Sequence, residues 1–165
     1  MRFIKLGLIS IVVLFALITA IASLLPSHVR ISRAIDINVP AARIYPQLAD
    51  IRAWDGWNEY LRFYHRKRLS ADTLVADEIT IAITRKTDTL VESLWQQPEG
   101  GRFASGYRLV TIHGDSLHTT LQWYFDFHVK WYPWEKFQSI VYDGQLGPVM
   151  EKSLQNLKRR SEHSQ

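Results

Sequence analysis

The sequence predicts an α+β domain, a curved antiparallel sheet wrapped around one long C-terminal helix and preceded by a single transmembrane helix. Three observations predict it. Residues 6–25 are apolar and carry no charge. From Val29 to Trp131, apolar residues recur at every second position in several separate runs. From about Glu135 to Arg160 they recur at every third or fourth. A chain of 165 residues, 47% apolar and 22% charged, fits one domain of ordinary globular composition and excludes wholesale disorder. The absence of cysteine excludes disulfides, thiolate zinc sites, iron–sulfur clusters and a cysteine nucleophile.

The leader comes first. Twenty helical residues at a rise of ~1.5 Å span ~30 Å, the thickness of bilayer hydrocarbon. Arg2 and Lys5 precede the run and Pro26 stops it. Residues 1–25 therefore read as a membrane anchor or signal segment, and 26–165 as the folded domain, with 26–30 as a short link. Ala20-Ile21-Ala22 before Ser23 fits a signal-peptide cleavage site. An uncharged run longer than the usual ~7–15-residue signal core favours a retained anchor. Arg2 and Lys5 place the N-terminus in the cytoplasm and the domain on the outer, periplasmic or extracellular side, although Arg30 and Arg33 past the other end blur that rule.

The domain opens with a strand. Val29, Ile31, Ile35, Ile37 and Val39 share one face, and Arg30, Ser32, Asp36 and Asn38 the other; Arg33 falls on the apolar side. Pro40 suits the first position of a short helix, which Pro46 limits or kinks. A second short helical segment, 51–61, carries Trp54 and Trp57 on one face. Ile79, Ile81 and Ile83 mark a strand, 90–96 another and 103–112 a third, with turns at 97–101 and 113–116. The clearest alternation places Leu121, Trp123, Phe125, Phe127, Val129 and Trp131 on one face. The final helix repeats Leu146, Val149, Met150, Leu154 and Leu157, and Gly144, Gly147 and Pro148 are expected to kink or split it. It is the one element long enough to cover the sheet's apolar face.

Three stretches carry a family resemblance: ISRAIDINVPAARIYPQLADIRAWDGWN, LQWYFDFHVKWYPWEKF and GPVMEKSLQNLK. In this order they resemble the START-like superfamily, also called SRPBCC or polyketide cyclase/dehydrase-like, in its bacterial membrane-anchored subgroup. The resemblance implies the helix-grip fold and a cavity between the sheet and the C-terminal helix. It implies functions from lipid carriage through ligand sensing to ring closure, and fold does not choose among them. Residues 60–77 depart from that subgroup: they are short, basic and glycine-free where a longer glycine-rich stretch is usual.

No GxSxG, HExxH, P-loop or GxGxxG motif occurs. His113, Asp115 and His118 flank one turn, too few convergent donors for a metal; no metal and no cofactor are predicted. Asp55 and Glu59, four apart, would share a helix face and offer paired carboxylates, or simply a solvated surface. Glu92 sits in a strand with no clearly polar face. Arg33 either pairs with a carboxylate inside the cavity or snorkels outward. The basic run 62–68 reads as a solvated loop or a contact for anionic headgroups, not as a nucleic-acid site on a membrane-tethered domain. The aromatic stripe has two readings, plain core or cavity lining. On the second, Trp123, Phe125 and Phe127 line the cavity, Tyr45, Trp95 and Tyr107 supply polar ends, and Trp57 and Arg33 complete the ligand-binding set. The leading expectation is a membrane-tethered domain binding a small hydrophobic or amphipathic, lipid-like ligand without catalysis. The alternatives are a cyclase- or hydrolase-type enzyme on an apolar substrate, using Arg33, Glu92 or Tyr107, and a structural module with a filled interior. Ligand identity and oligomeric state stay open.

Overall fold

A computed structural model describes residues 2–64, 67–76, 79–98, 101–111 and 117–163. The apolar leader is helix α1, Arg2–Ser23. After Pro26 the chain enters β1, His28–Ile37. Helix α2, Ala41–Ala49, follows Pro40, which stands just outside it at the N-cap. Helix α3, Ile51–Trp54, is capped by Asp50, whose carboxylate accepts the Arg52 backbone N–H at 2.9 Å. A 3₁₀ turn, Glu59–Phe63, is capped in the same way by Asn58. Six strands then run in series: β2 Lys67–Leu69, β3 Thr73–Ala76, β4 Ile79–Thr87, β5 Leu90–Gln96, β6 Arg102–Val110 and β7 Thr119–His128. Helix α4, Pro133–His163, closes the domain.

All seven strands join one antiparallel sheet in the order β1-β7-β6-β5-β4-β3-β2. The series β2 to β7 is a meander, and β1 adds to its far side with His28 opposite His128 and Ile37 opposite Thr119. A register shift between Ile83 and Arg85 bends β4. Met150, Leu154 and Leu157 of α4 join the same buried cluster as Ile37, Ile44, Leu48 and Leu121. The result is the predicted α+β arrangement, a sheet whose apolar face holds the last helix. Two bonds tie α4 to the end of β1 and the residue after it: Lys158 Nζ donates to the Asp36 carbonyl at 2.7 Å, and the Asn38 N–H donates to Glu162 at 2.9 Å.

Several local expectations change. Helix α4 runs unbroken past Gly144, Gly147 and Pro148. The carbonyl that Pro148 leaves without a helical donor belongs to Gly144, which is exposed to water. Gly147 serves close approach instead: a Cβ there would lie 2.3 Å from Arg33 Nη2. The alternation in 121–131 outlasts its strand. Strand β7 stops at His128, and Trp131 stands 64% exposed beyond it. Trp57 lies in the turn after α3 rather than on a shared helix face, yet both indoles are buried. The short strands β2 and β3 are too brief to show a period.

Candidate ligand pocket

Strand register decides which residues share an end of the sheet. His28 pairs with His128, Ala104 with Asp126, and Gln96 with Arg102. These residues therefore lie at one end, together with the turn before Arg102. Helix α1 enters at the same end, because only Leu24 to Ser27 separate it from His28. The first half of α4 lies there too, starting five residues after His128.

Between these parts is a half-open pocket of about 780 Å³. Its floor is made by half-buried Tyr60, Phe103, Phe127, Tyr142 and Leu146. The Phe127 ring centroid lies 5.0 Å from Phe103 and 4.9 Å from Tyr142, so sheet and helix meet through aromatic contact. Tyr142 and Leu146 are four apart on α4, which puts both over the pocket. The rim is polar and exposed: Gln97, Arg102, His128, Lys130 and Gln145. Glu135, in the first turn of α4, accepts the Lys130 backbone N–H at 3.0 Å and fixes the link from β7 to the helix. Among these rim groups Lys130 Nζ lies 3.9 Å from the Glu135 carboxylate, and Arg102 adds a second cation. An apolar floor under a polar rim suits a molecule with an apolar body and a polar head.

Beside the pocket, on the solvent face, Arg30 holds Asp126 through two bonds of 2.6 Å. That contact keeps the Asp126 carboxyl below its ordinary range despite partial burial. The Arg30 guanidinium also lies 4.4 Å over the Tyr124 ring. Tyr124 crosses β6 at Gly106, where a Cβ would approach the ring to 2.4 Å. Its hydroxyl donates to Glu92 at 3.2 Å.

The model of the family described as "Polyketide cyclase / dehydrase and lipid transport" matches residues 28–162. The chain belongs to this family. Solved structures share the fold at low identity. A protein of unknown function from Staphylococcus aureus superposes with a TM-score of 0.63 at 12% identity, covering 83% of this chain and 95% of that one. A Thermobifida fusca protein gives 0.58 at 14%, covering 80% and 92%. The ZhuI aromatase/cyclase from Streptomyces sp. R1128 gives 0.52 at 13%, covering 82% and 94%. No curated protein matches.

In this polyketide cyclase/dehydrase and lipid transport domain, the residues expected to bind ligand occupy different depths. Phe127 lines the pocket. Trp95 and Phe125 stand behind the floor, each 5.7 Å from the Phe103 ring centroid. Trp57, Tyr107 and Trp123 form a further layer, packed edge to face or tilted at 5.2–6.4 Å and closed to solvent. Their polar handles point to protein partners. Trp95 donates to Ser93 Oγ at 3.0 Å and Trp123 to Ser105 Oγ at 2.8 Å. Trp54 donates to the Leu48 carbonyl at 2.8 Å, and Trp57 to that of Gln47 at 3.3 Å. Ser93 and Ser105 oppose each other across β5 and β6, and these two small residues leave room for the indoles. Burial pushes the Tyr107 phenol well above its ordinary pKa, against the Asn58 amide that donates to it at 3.4 Å. Tyr45 is half-buried against the same core.

Arg33 pairs with carboxylates, but outside the pocket: it bridges Asp143 at 3.0 Å and Glu151 at 2.7 Å on α4, passing over Gly147. Glu92 lies on the opposite face of the sheet with Tyr124 and Arg85. Arg33, Glu92 and Tyr107 therefore do not converge on one site. Asp55 and Glu59 share no helix face either, since α3 ends at Trp54, before both, and Glu59 opens the separate 3₁₀ turn. Glu59 instead binds Arg62, Lys152 and Asn156. Burial raises its pKa, but the Asn156 bond and the two cations outweigh that, and the carboxyl sits below its ordinary value. His113 and Asp115 fall outside the described residues, and His118 is exposed. Among the described residues no group of His, Cys, Asp and Glu could hold a metal. Phe103, Tyr142, Arg102 and Lys130 were not anticipated. Tyr142 carried a signal in its spacing to Leu146, whereas Phe103 depends on cross-strand register.

Proposed function

We propose that the chain is a membrane-tethered domain that binds one amphipathic, lipid-like molecule in the pocket at the anchor end of its sheet. The observation that carries this reading is the position of the pocket: its aromatic floor and polar rim open at the end where α1 joins the domain. Helix α1 contains a stretch, Phe3–Ser23, long and apolar enough to cross a membrane. The family's description names lipid transport alongside cyclase and dehydrase, which supports a ligand of this class. Phe127 contacts the apolar body of the ligand. Trp95 and Phe125 position Phe127 and Phe103, and Trp57, Tyr107 and Trp123 set the shape behind them. Arg33 holds α4 to β1 and so sets the width of the pocket. Arg2 and Lys5 stay in the cytoplasm, leaving the domain on the outer side.

Leu146→Trp adds volume to the floor at a half-buried position. The full chain in detergent, titrated with a long-chain anionic phospholipid and read by native mass spectrometry, should carry one lipid per chain. The variant should lose at least tenfold in occupancy at equal lipid while keeping its thermal midpoint. An empty wild type at saturating lipid, or equal occupancy in the variant, would remove the proposal. The absence of cysteine allows a test of sidedness: Thr84→Cys should react with a membrane-impermeant maleimide applied to intact cells.

A further inference from the structure

The first half of α4 carries an unusual outer face. Trp134 is 61% exposed, Phe137 40%, Ile140 62% and Val141 53%, and Trp131 stands beside them. Spacings of three and seven place Trp134, Phe137 and Val141 on one stripe, with Ile140 adjoining it. Tyr132 stacks on Trp134 at 4.9 Å and 9°, so three aromatic rings gather at the start of the helix. An apolar patch of this kind on a folded domain marks a contact surface.

The position of the patch identifies its occupant. Lys136 is buried, and its Nζ donates to the Leu25 carbonyl at 2.8 Å and to Ser27 Oγ at 2.7 Å. The start of α4 is thus fastened to the residues that leave α1. Ile18, Thr19 and Ala22 lose exposure along one side of α1, as does Leu25 just past its end, and α1 contacts α4. Ile18 lies ~6 Å of helix rise below Ala22, so the contact reaches only the last turns of the span. That depth is the boundary between hydrocarbon and headgroups, where Trp and Tyr are enriched. Exposed Arg102, and Lys130 with its ammonium 3.9 Å from Glu135, flank the same region on the pocket rim and suit polar headgroups.

We infer that the outer face of the first half of α4, with Trp131, Trp134, Phe137, Ile140 and Val141, docks into the headgroup–acyl boundary of the bilayer that α1 crosses. The inference rests on the tethered reading above. It adds that the domain lies against the membrane with its pocket mouth at the surface, rather than standing off on a flexible link. A lipid would then pass between bilayer and pocket along the side of α4, past Lys130 and Gln145.

The tryptophan inventory supplies a direct test. Of the six tryptophans, four are buried in the domain, none lies in α1, and Trp131 and Trp134 are in the patch. The full chain is reconstituted in phosphatidylcholine–phosphatidylglycerol vesicles with and without acyl chains brominated near the headgroup. Bromine quenches indoles on contact. Part of the emission should be quenched, and Trp131→Phe with Trp134→Phe should abolish at least four-fifths of that quenching. Ile140→Asp with Val141→Asp should reduce quenching at least threefold while the near-ultraviolet signal of the four buried indoles persists. Emission unaffected by bromine, in protein that still resists carbonate extraction, would overturn the inference. So would quenching that survives loss of Trp131 and Trp134. Absence of quenching together with cross-linking between Trp134→Cys chains would assign the face to a second copy instead. The readout needs no bound ligand, so an empty pocket in the mass spectrum would leave it standing. Loss of the chain on carbonate extraction would instead refute the tether.

Discussion

The two halves of α4 have the same backbone and opposite surfaces. In the second half, Met150, Leu154 and Leu157 face the core, while Glu151, Lys152, Gln155, Arg159 and Arg160 face water. Charged bonds reinforce that packing: Arg33 to Glu151, Asn156 to Glu59, and Lys158 to the Asp36 carbonyl. In the first half, Tyr142 and Leu146 look into a cavity, and Trp134, Phe137, Ile140 and Val141 look outward. One half therefore stabilises the fold. The other offers apolar surface on two sides, which folding alone does not require. Amphipathic pattern separates these roles within a single helix.

Truncation should divide the halves most sharply. Leu154→Ala leaves a hole in close-packed core and should cost about 2–5 kcal/mol. Phe137→Ala, at an exposed site, should stay within about 0.5 kcal/mol. Urea unfolding followed by the buried tryptophans measures both, and equal losses would dissolve the contrast. Lys136 is the exception in the first half, being buried with two acceptors. Lys136→Met leaves the Leu25 carbonyl and Ser27 hydroxyl short of a donor and should cost about 1–3 kcal/mol. A neutral result would mean that α4 is not fastened to the end of α1. Acid should act on the second half. The folded-state pKa of Glu59 is depressed, so its contribution is full above the unfolded value of about 4.3 and fades as pH falls through the folded value. Glu59→Gln should flatten the stability profile below about pH 4.3, and an unchanged slope would refute this. Gly147→Ala should have the smallest effect, under about 1 kcal/mol, because the atom in its way ends a flexible Arg33 side chain. Weakened coupling between Arg33 and Glu151 in a double-mutant cycle would register the shift.

Periodicity located the long elements well and their depth poorly. The alternation in β7 placed Trp123, Phe125 and Phe127 on one face, and they share it. It could not say that Phe127, the last inward residue of β7, meets the pocket while Trp123 is sealed among other rings. Depth along a strand depends on register with β6 and on where α4 crosses, and neither is local. Trp131 shows the opposite failure, because its parity continued after the strand had ended at His128. Gly147 was legible as unusual, but its reason was the distant Arg33 side chain. Strands β2 and β3, of three and four residues, fall below the length at which alternation can be read.

The bonds from Lys158 and Glu162 to β1 have a consequence for solubility. An open sheet ends in two strands with unpaired backbone groups, and such borders recruit strands from other chains. The β2 border is three residues long and offers little template. The β1 border is ten residues long, and the polar half of α4 meets its end through the Asp36 carbonyl and the N–H of Asn38 just beyond it. Peeling back the end of α4 would bare that border, so damage there should appear first as clumping of chains and only later as loss of the sheet.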